Sequence, residues 1–232
     1  LPRDVGVVIV AAGQGARLGG ETPKQFRTIG GVPMLLRAIR PFAAHPEVSG
    51  LAVVLPADVA AAPPPWLQEL SGPALRLVTG GPERSDSAMA GVAALSADCV
   101  IVLVHDAARP FVDRAIIDAV VERAREGKGA VPAVPVGDTL KDAAPPERGG
   151  AIARTVPRDG LWRAQTPQGF PRQMLERAYA AARSQGVGAT DDAALVEATG
   201  APVTLVPGSE QNIKVTTAVD FRLAEWLAGE LP

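Results

Sequence analysis

The stretch that most constrains this chain runs from Val5 to Lys24, Val-Gly-Val-Val-Ile-Val-Ala-Ala-Gly-Gln-Gly-Ala-Arg-Leu-Gly-Gly-Glu-Thr-Pro-Lys. Val5 to Val10 is a continuous apolar run, the pattern of a strand buried on both faces. It feeds Ala11, Ala12, Gly13 and Gly15, small residues that let backbone approach a ligand closely. Such a turn can aim several N–H groups at phosphate oxygens, and the cations Arg17 and Lys24 follow it. The spacing of Gly13, Gly15 and Gly19 fits neither the dinucleotide-binding G-x-G-x-x-G nor the P-loop, which needs a G-K-[ST]. A plain strand-to-helix turn would use the same glycines, so the string alone leaves both readings open.

The pattern continues downstream. Leu51 to Leu55, Leu75 to Val78, Cys99 to Val104, Ala130 to Val134 and Val203 to Val206 read as further strands. Between them, apolar residues recur at helical spacing: Leu35, Leu36, Ile39 and Phe42 behind Pro33; a short helix around Leu67 and Leu70; Ala88, Met89, Val92 and Leu95; and Ile116, Ile117, Val120, Val121 and Ala124 behind a capping Asp113. The last helix starts at a capping box of Thr217 and Asp220, with Val219, Leu223 and Leu227 expected to face inward. Strands alternating with helices give an α/β fold with a doubly wound, mostly parallel sheet. We expect one domain over residues 1–232. One stretch breaks the alternation: Pro135 to Asp159 carries two β-prone arms around Pro145-Pro146-Glu147-Arg148-Gly149-Gly150. It is long for a plain connection and reads as a projecting hairpin. An isolated hairpin is marginal in water, so a second copy of the chain is its expected support; a surface flap is the alternative.

With 232 residues, 47% of them hydrophobic, the chain can bury a sizeable core. Its net charge of -2 argues against a general nucleic-acid or anionic-membrane binder. One cysteine, Cys99, excludes an internal disulfide and a cysteine-based zinc cluster. No apolar run reaches membrane-spanning length and no signal-peptide pattern opens the chain, so the expected compartment is the cytoplasm.

Ligands of open α/β sheets bind beyond the carboxyl ends of the strands, and each candidate cluster falls there. Gly81 and Ser87 flank a helix start whose backbone N–H groups and hydroxyl could read a base edge; a helix capped by Ser85 is the simpler account. His105-Asp106-Ala107-Ala108-Arg109-Pro110 follows the most apolar strand. Asp106 there is placed to hold a magnesium ion on nucleotide phosphates, and Arg109 offers a planar fork to an oxyanion. A loop salt bridge between the two is the structural alternative, and His105 beside a buried strand reads as a packed histidine. Lys214, in Asn212-Ile213-Lys214-Val215-Thr216, could bring a cation to the same rim, although a solvated lysine is the default.

Taken together, Ala-Ala-Gly-x-Gly-x-Arg, Pro23-Lys24-Gln25, Gly81-x-Glu83-Arg84-x-x-Ser87, Val104 to Pro110, Asp138-Thr139, Thr166-Pro167-Gln168, Thr190-Asp191 and Asn212 to Thr216 occur in order over nearly the whole chain. This set resembles the 2-C-methyl-D-erythritol 4-phosphate cytidylyltransferases of the non-mevalonate isoprenoid pathway. The resemblance implies a Rossmann-like nucleotidyltransferase fold, a homodimer joined through the 135–159 arm, and cytidylyl transfer from CTP assisted by Mg²⁺. It puts CTP over Ala11, Ala12, Gly13 and Gly15, with Gly81 and Ser87 at the base and Lys24, Asp106 and Ala107 also in contact. It matches Arg17 and Lys24 to transition-state cations and Asp106 to the metal-associated carboxylate. Asp106, Arg109, Thr139, Arg158, Thr166 and Thr190 match contacts to methylerythritol phosphate, several of them given by the partner subunit. Arg158 and Lys214 match the pair that places the substrate phosphate. The sequence departs from the pattern at Pro82 and at Glu210-Gln211. A sibling enzyme acting on another polyol phosphate such as ribitol 5-phosphate, and a non-catalytic nucleotide sensor, are the competing readings. A Rossmann dehydrogenase fails on its glycines.

Overall fold

The computed structural model of the chain describes residues 2–13, 23–70, 75–186 and 188–230. It opens with β1 (Val5–Val10), a 3-10 turn (Lys24–Phe26), a small hairpin of β2 (Thr28–Ile29) and β3 (Val32–Pro33), and α1 (Met34–Ala43). Then come β4 (Val48–Leu55), α2 (Ala57–Ala61), α3 (Pro65–Glu69), β5 (Leu75–Thr79), α4 (Arg84–Ala94), β6 (Ile101–Asp106), α5 (Arg114–Arg125) and β7 (Gly129–Pro135). The remainder is β8 (Leu140–Ala143), β9 (Ile152–Val156), β10 (Trp162–Ala164), β11 (Gln168–Pro171), α6 (Arg172–Gln185), α7 (Asp192–Ala198), β12 (Val203–Pro207) and α8 (Ala218–Glu230).

The main sheet runs β10-β7-β11-β6-β1-β4-β5, with β12 also paired to β7. The pairs around β1 are parallel, whereas β10 and β11 enter antiparallel. Side chains alternate across β1 as a strand requires. Val5, Val7 and Ile9 pack under α1, α3 and α5 on one face. Val8 packs under α4, α6 and α7 on the other. Continuous apolarity in β1 therefore has a physical cause: both faces are covered. Gly6 and Gly91 mark where the α4 layer comes close. A Cβ on Gly91 would lie 2.3 Å from Val8, and one on Gly6 would lie 2.7 Å from Leu95.

Asp113 caps α5, its carboxylate accepting from Ile116 N–H at 2.8 Å. The capping box at α8 is present as well, Thr217 N–H donating to Asp220 at 2.8 Å and Asp220 N–H to the Thr217 hydroxyl at 3.2 Å. The inward face of α8 differs from the expectation. Leu227 is buried with Ala224 and packs with Ile29, Met34, Phe111 and Val215, but Val219 and Leu223 are exposed. The helix carries two apolar stripes, and the one that docks is Phe221, Ala224, Leu227 and Ala228. Spacing alone could not choose between them. The 135–159 segment does hold a hairpin: β8 and β9 pair antiparallel as a sheet of their own. No helix among the described residues is long and apolar enough to cross a membrane.

Candidate active site

Three strands end together. Val10 lies in register beside both Val54 of β4 and Asp106 of β6. The loops leaving them are tied by backbone: Ala11 N–H donates to Val54 C=O at 2.8 Å, and Ala107 N–H to Val10 C=O at 3.1 Å. Ala11 is buried and Gly13 faces open space. Ala12 meets the turn after β5 so closely that a Cβ on Gly80 would lie 2.4 Å from its methyl. Gly81 N–H donates to the Ser87 hydroxyl at 3.2 Å, and Ser87 is buried. That hydroxyl therefore shapes the Gly80-Gly81 turn. The α4 start is held by Glu83 and Asp86, with Glu83 N–H donating to the Asp86 carboxylate, and not by Ser85. Gly15 and Arg17 lie outside the described residues, and Lys24 sits half-buried on its 3-10 turn.

Asp106 is the centre of the cluster. Its Oδ2 pairs with Lys214 Nζ at 2.7 Å, and its Oδ1 accepts from Arg84 Nε and Nη2 at 3.3 and 3.2 Å. Burial opposes ionisation of Asp106, but the Arg84 and Lys214 charges overcome it and hold the carboxyl well below the usual carboxylate range. The partners of Asp106 are thus Arg84 and Lys214, not Arg109. Arg109 donates instead to two backbone carbonyls, Asn212 at 2.6 Å and Ala164 at 3.3 Å. Burial lowers its pKa, against the pull of Asp106, and its Nε is buried without a hydrogen-bond partner, as is Asn212 Oδ1. A guanidinium held on neutral carbonyls keeps its charge for an incoming anion. Two carboxylates, Asp106 and Asp192, balance Arg84 and Lys214, so Arg109 leaves the cluster net positive.

Thr166 joins the same group. Its buried hydroxyl accepts from Asp106 N–H at 3.1 Å and lies 3.0 Å from His105 Nδ1. His105 Nε2 lies 3.0 Å from the Arg109 carbonyl. A carbonyl can only accept, so Nε2 carries the proton and Nδ1 accepts from Thr166. Burial takes the His105 pKa down to about 4, and the ring tilts against Phe42 with centroids 4.9 Å apart. His105 is the packed, neutral histidine that its setting suggested. Thr166 is equally a support for Asp106.

The remaining candidates sit elsewhere. Thr139 and Arg158 are exposed on the arm, Arg158 donating to the Gly137 carbonyl, and Thr190 is exposed just before α7. None of the hydrogen bonds among the described residues ties these three to Asp106. Of the two departures from the family pattern, Glu210 pairs with Arg163 at the exposed rim. Sequence reasoning gave no role to Arg84 or to Asp192, although Arg84 stood in the quoted Gly81-x-Glu83-Arg84 string. It also missed Gln168, whose amide fixes the start of α7 by donating to Asp191 at 2.7 Å and accepting from Ala193 N–H at 2.9 Å.

The family model for IspD, 2-C-methyl-D-erythritol 4-phosphate cytidylyltransferase, matches residues 5–230. A bifunctional enzyme IspD/IspF of Rhodospirillum rubrum is 46% identical over 232 residues, covering 96% of this chain but 56% of that protein. The chain thus spans little more than half the length of the bifunctional relatives it matches. A 2-C-methyl-D-erythritol 4-phosphate cytidylyltransferase of Frankia casuarinae is 42% identical, with 96% of this chain and 80% of that one covered. The crystal structure of the Thermus thermophilus 2-C-methyl-D-erythritol 4-phosphate cytidylyltransferase superposes with a TM-score of 0.80 at 39% identity, covering 97% and 99% of the two chains. With the family model matching nearly the whole chain and relatives above 40% identity, the chain belongs to the IspD family of 2-C-methyl-D-erythritol 4-phosphate cytidylyltransferases.

Proposed function

We propose that this chain transfers the cytidylyl group of CTP to 2-C-methyl-D-erythritol 4-phosphate, releasing pyrophosphate. The observation that carries the reading is the net positive cluster at the ends of β1 and β6, where Lys214 and Arg84 pair with a charged Asp106 and Arg109 is held on the Asn212 carbonyl. A phosphate monoester has a second pKa of about 6 and is mostly dianionic at neutral pH. Its oxygen attacks the α-phosphorus of CTP, a new P–O bond forms, and the bond to the β-phosphate oxygen breaks. No general base is needed; alignment and charge neutralisation are. Ala11, Ala12, Gly13 and Gly15 would cradle the triphosphate, with Gly81, Ser87 and Ala107 around the nucleoside. Arg17 and Lys24 would meet the charge that builds on the equatorial oxygens, the kind of preorganised electrostatics that dominates catalysis. Lys214 and Arg158 would orient the acceptor phosphate, with Arg109, Thr139 and Thr190 around the polyol.

A magnesium ion, when bound, would neutralise triphosphate charge. The described residues hold no group of three His, Cys, Asp or Glu side chains suited to a metal, and Mg²⁺ on nucleotides commonly takes one or two carboxylates plus phosphate oxygens. Asp106 fits that demand, because it is charged and its Oδ2 faces a half-exposed lysine that can exchange. Thr139 and Arg158 stand on the arm, away from the Asp106 hydrogen-bond network, which supports a site completed by the arm of a second copy.

Pyrophosphate release with CTP and Mg²⁺ tests the reading, comparing methylerythritol phosphate with ribitol 5-phosphate and replacing CTP with UTP or ATP. Release that requires CTP and methylerythritol phosphate is expected. Release with ribitol 5-phosphate alone would move the activity to the sibling, and no release with either acceptor would overturn the reading.

A further inference from the structure

Arg84 contributes all three of its guanidinium nitrogens to two carboxylates from different elements. Nε and Nη2 reach Asp106 Oδ1 at the end of β6, and Nη1 reaches Asp192 Oδ2 at the start of α7 at 2.8 Å. Asp192 is fully buried, and its other oxygen accepts from the Tyr179 hydroxyl of α6 at 2.8 Å. Arg84 itself is the first residue of α4. One planar group therefore fastens β6, α4, α6 and α7 behind the strand-end cluster. Each oxygen of Asp106 has a different kind of partner. Oδ1 faces Arg84, whose side chain is 27% exposed, while Oδ2 faces Lys214, whose side chain is 46% exposed.

We infer that Arg84 is a positioning residue for the reaction: a fixed strut that holds Asp106 by Oδ1 so that Oδ2 alone is exchangeable. When Lys214 turns to an acceptor phosphate, Asp106 and Asp192 retain one compensating charge between them instead of none. The carboxylate then stays in place with a single open oxygen. A lysine cannot do this, because an ammonium is a point charge without the planar fork that spans two carboxylates. The consequence for turnover rests on the cytidylyl-transfer reading; the strut itself rests on geometry.

Two measurements separate the strut from that reading. In pyrophosphate release, Arg84→Lys and Asp192→Asn should lower kcat, the first by about 10–100-fold as for other residues that orient a metal or phosphate ligand. KM for methylerythritol phosphate should stay within about threefold, since all three Arg84 guanidinium nitrogens are committed to Asp106 and Asp192. Methylguanidinium, and not methylammonium, should restore part of the activity of Arg84→Ala. Independently of turnover, nitrogen–proton spectra of arginine side chains should show an Arg84 Nε–H signal, absent in Arg84→Lys, that shifts in Asp106→Asn. An unchanged signal in Asp106→Asn, or wild-type kcat in Arg84→Lys with normal folding, would overturn the strut. A raised KM at unchanged kcat would also overturn it, by making Arg84 a binding group. A wild-type chain that releases no pyrophosphate overturns the activity reading, and the Nε–H shift then decides the strut by itself.

Discussion

Thr166 shows how closely support and function are joined at single residues. Its hydroxyl has one proton, given to His105, and accepts the Asp106 amide. Thr166→Val keeps the shape and removes both bonds. Leaving a buried donor and acceptor unmade should lower stability by about 1–3 kcal/mol, read as a lower urea midpoint at constant slope, and kcat should fall with it. A residue that only touched the substrate would leave the midpoint unmoved. Lys24 is the contrasting case, a cation proposed to act on the transition state. Lys24→Ala, and likewise Arg17→Ala, should lower kcat by about 100–1000-fold, with little change in acceptor KM; near-wild-type kcat in both would remove them from the chemistry.

At the scale of elements, α4 sits on the sheet through a glycine. Gly91→Ala would place a methyl 2.3 Å from Val8 and 2.9 Å from Val54. Alanine favours helix by about 1 kcal/mol, but overpacking typically costs about 1–3 kcal/mol, so thermal unfolding should move downward. A higher melting temperature would mean that α4 can lift at no loss. The elements also show what sequence carries. Strand β1 matched its apolar run, and α5 began at its predicted cap, because both follow from nearest-neighbour chemistry. Of the candidate site, Asp106 and Lys214 were legible since Asp106 ends a strand and Lys214 precedes the last helix, each in a distinctive string, and the structure pairs them. Strands β10 and β11 were not legible. They are three and four residues long, and their pairing with β6 and β7 is set by tertiary register that no local period encodes. Arg84 was hidden for the same reason: its two carboxylates stand 22 and 108 residues away in the chain. The outward stripe on α8 was misread because two apolar faces share one helical period.

At the scale of the molecule, the arm decides whether the site is made by one chain or two. Strands β8 and β9 leave Ile152 exposed with little covering it in the single chain. If a second copy seats there, Ile152→Glu should weaken the dimer, seen by sedimentation as monomer at low concentration, and should lower activity in parallel. A monomeric wild type would place Thr139 and Arg158 outside any shared site.

The backbone bond from Val215 N–H to the Ala108 carbonyl, at 2.8 Å, has a temporal consequence. It fastens the segment carrying Lys214, ahead of α8, to the loop that follows Asp106 at the end of β6, so the two should open together. Amides of local loops usually exchange with solvent far faster than those of a core, since they open without global unfolding. Here the Val215 and Ala107 amides should exchange as slowly as those of β1, before any nucleotide is added. The rim of the site would then share the lifetime of the folded state.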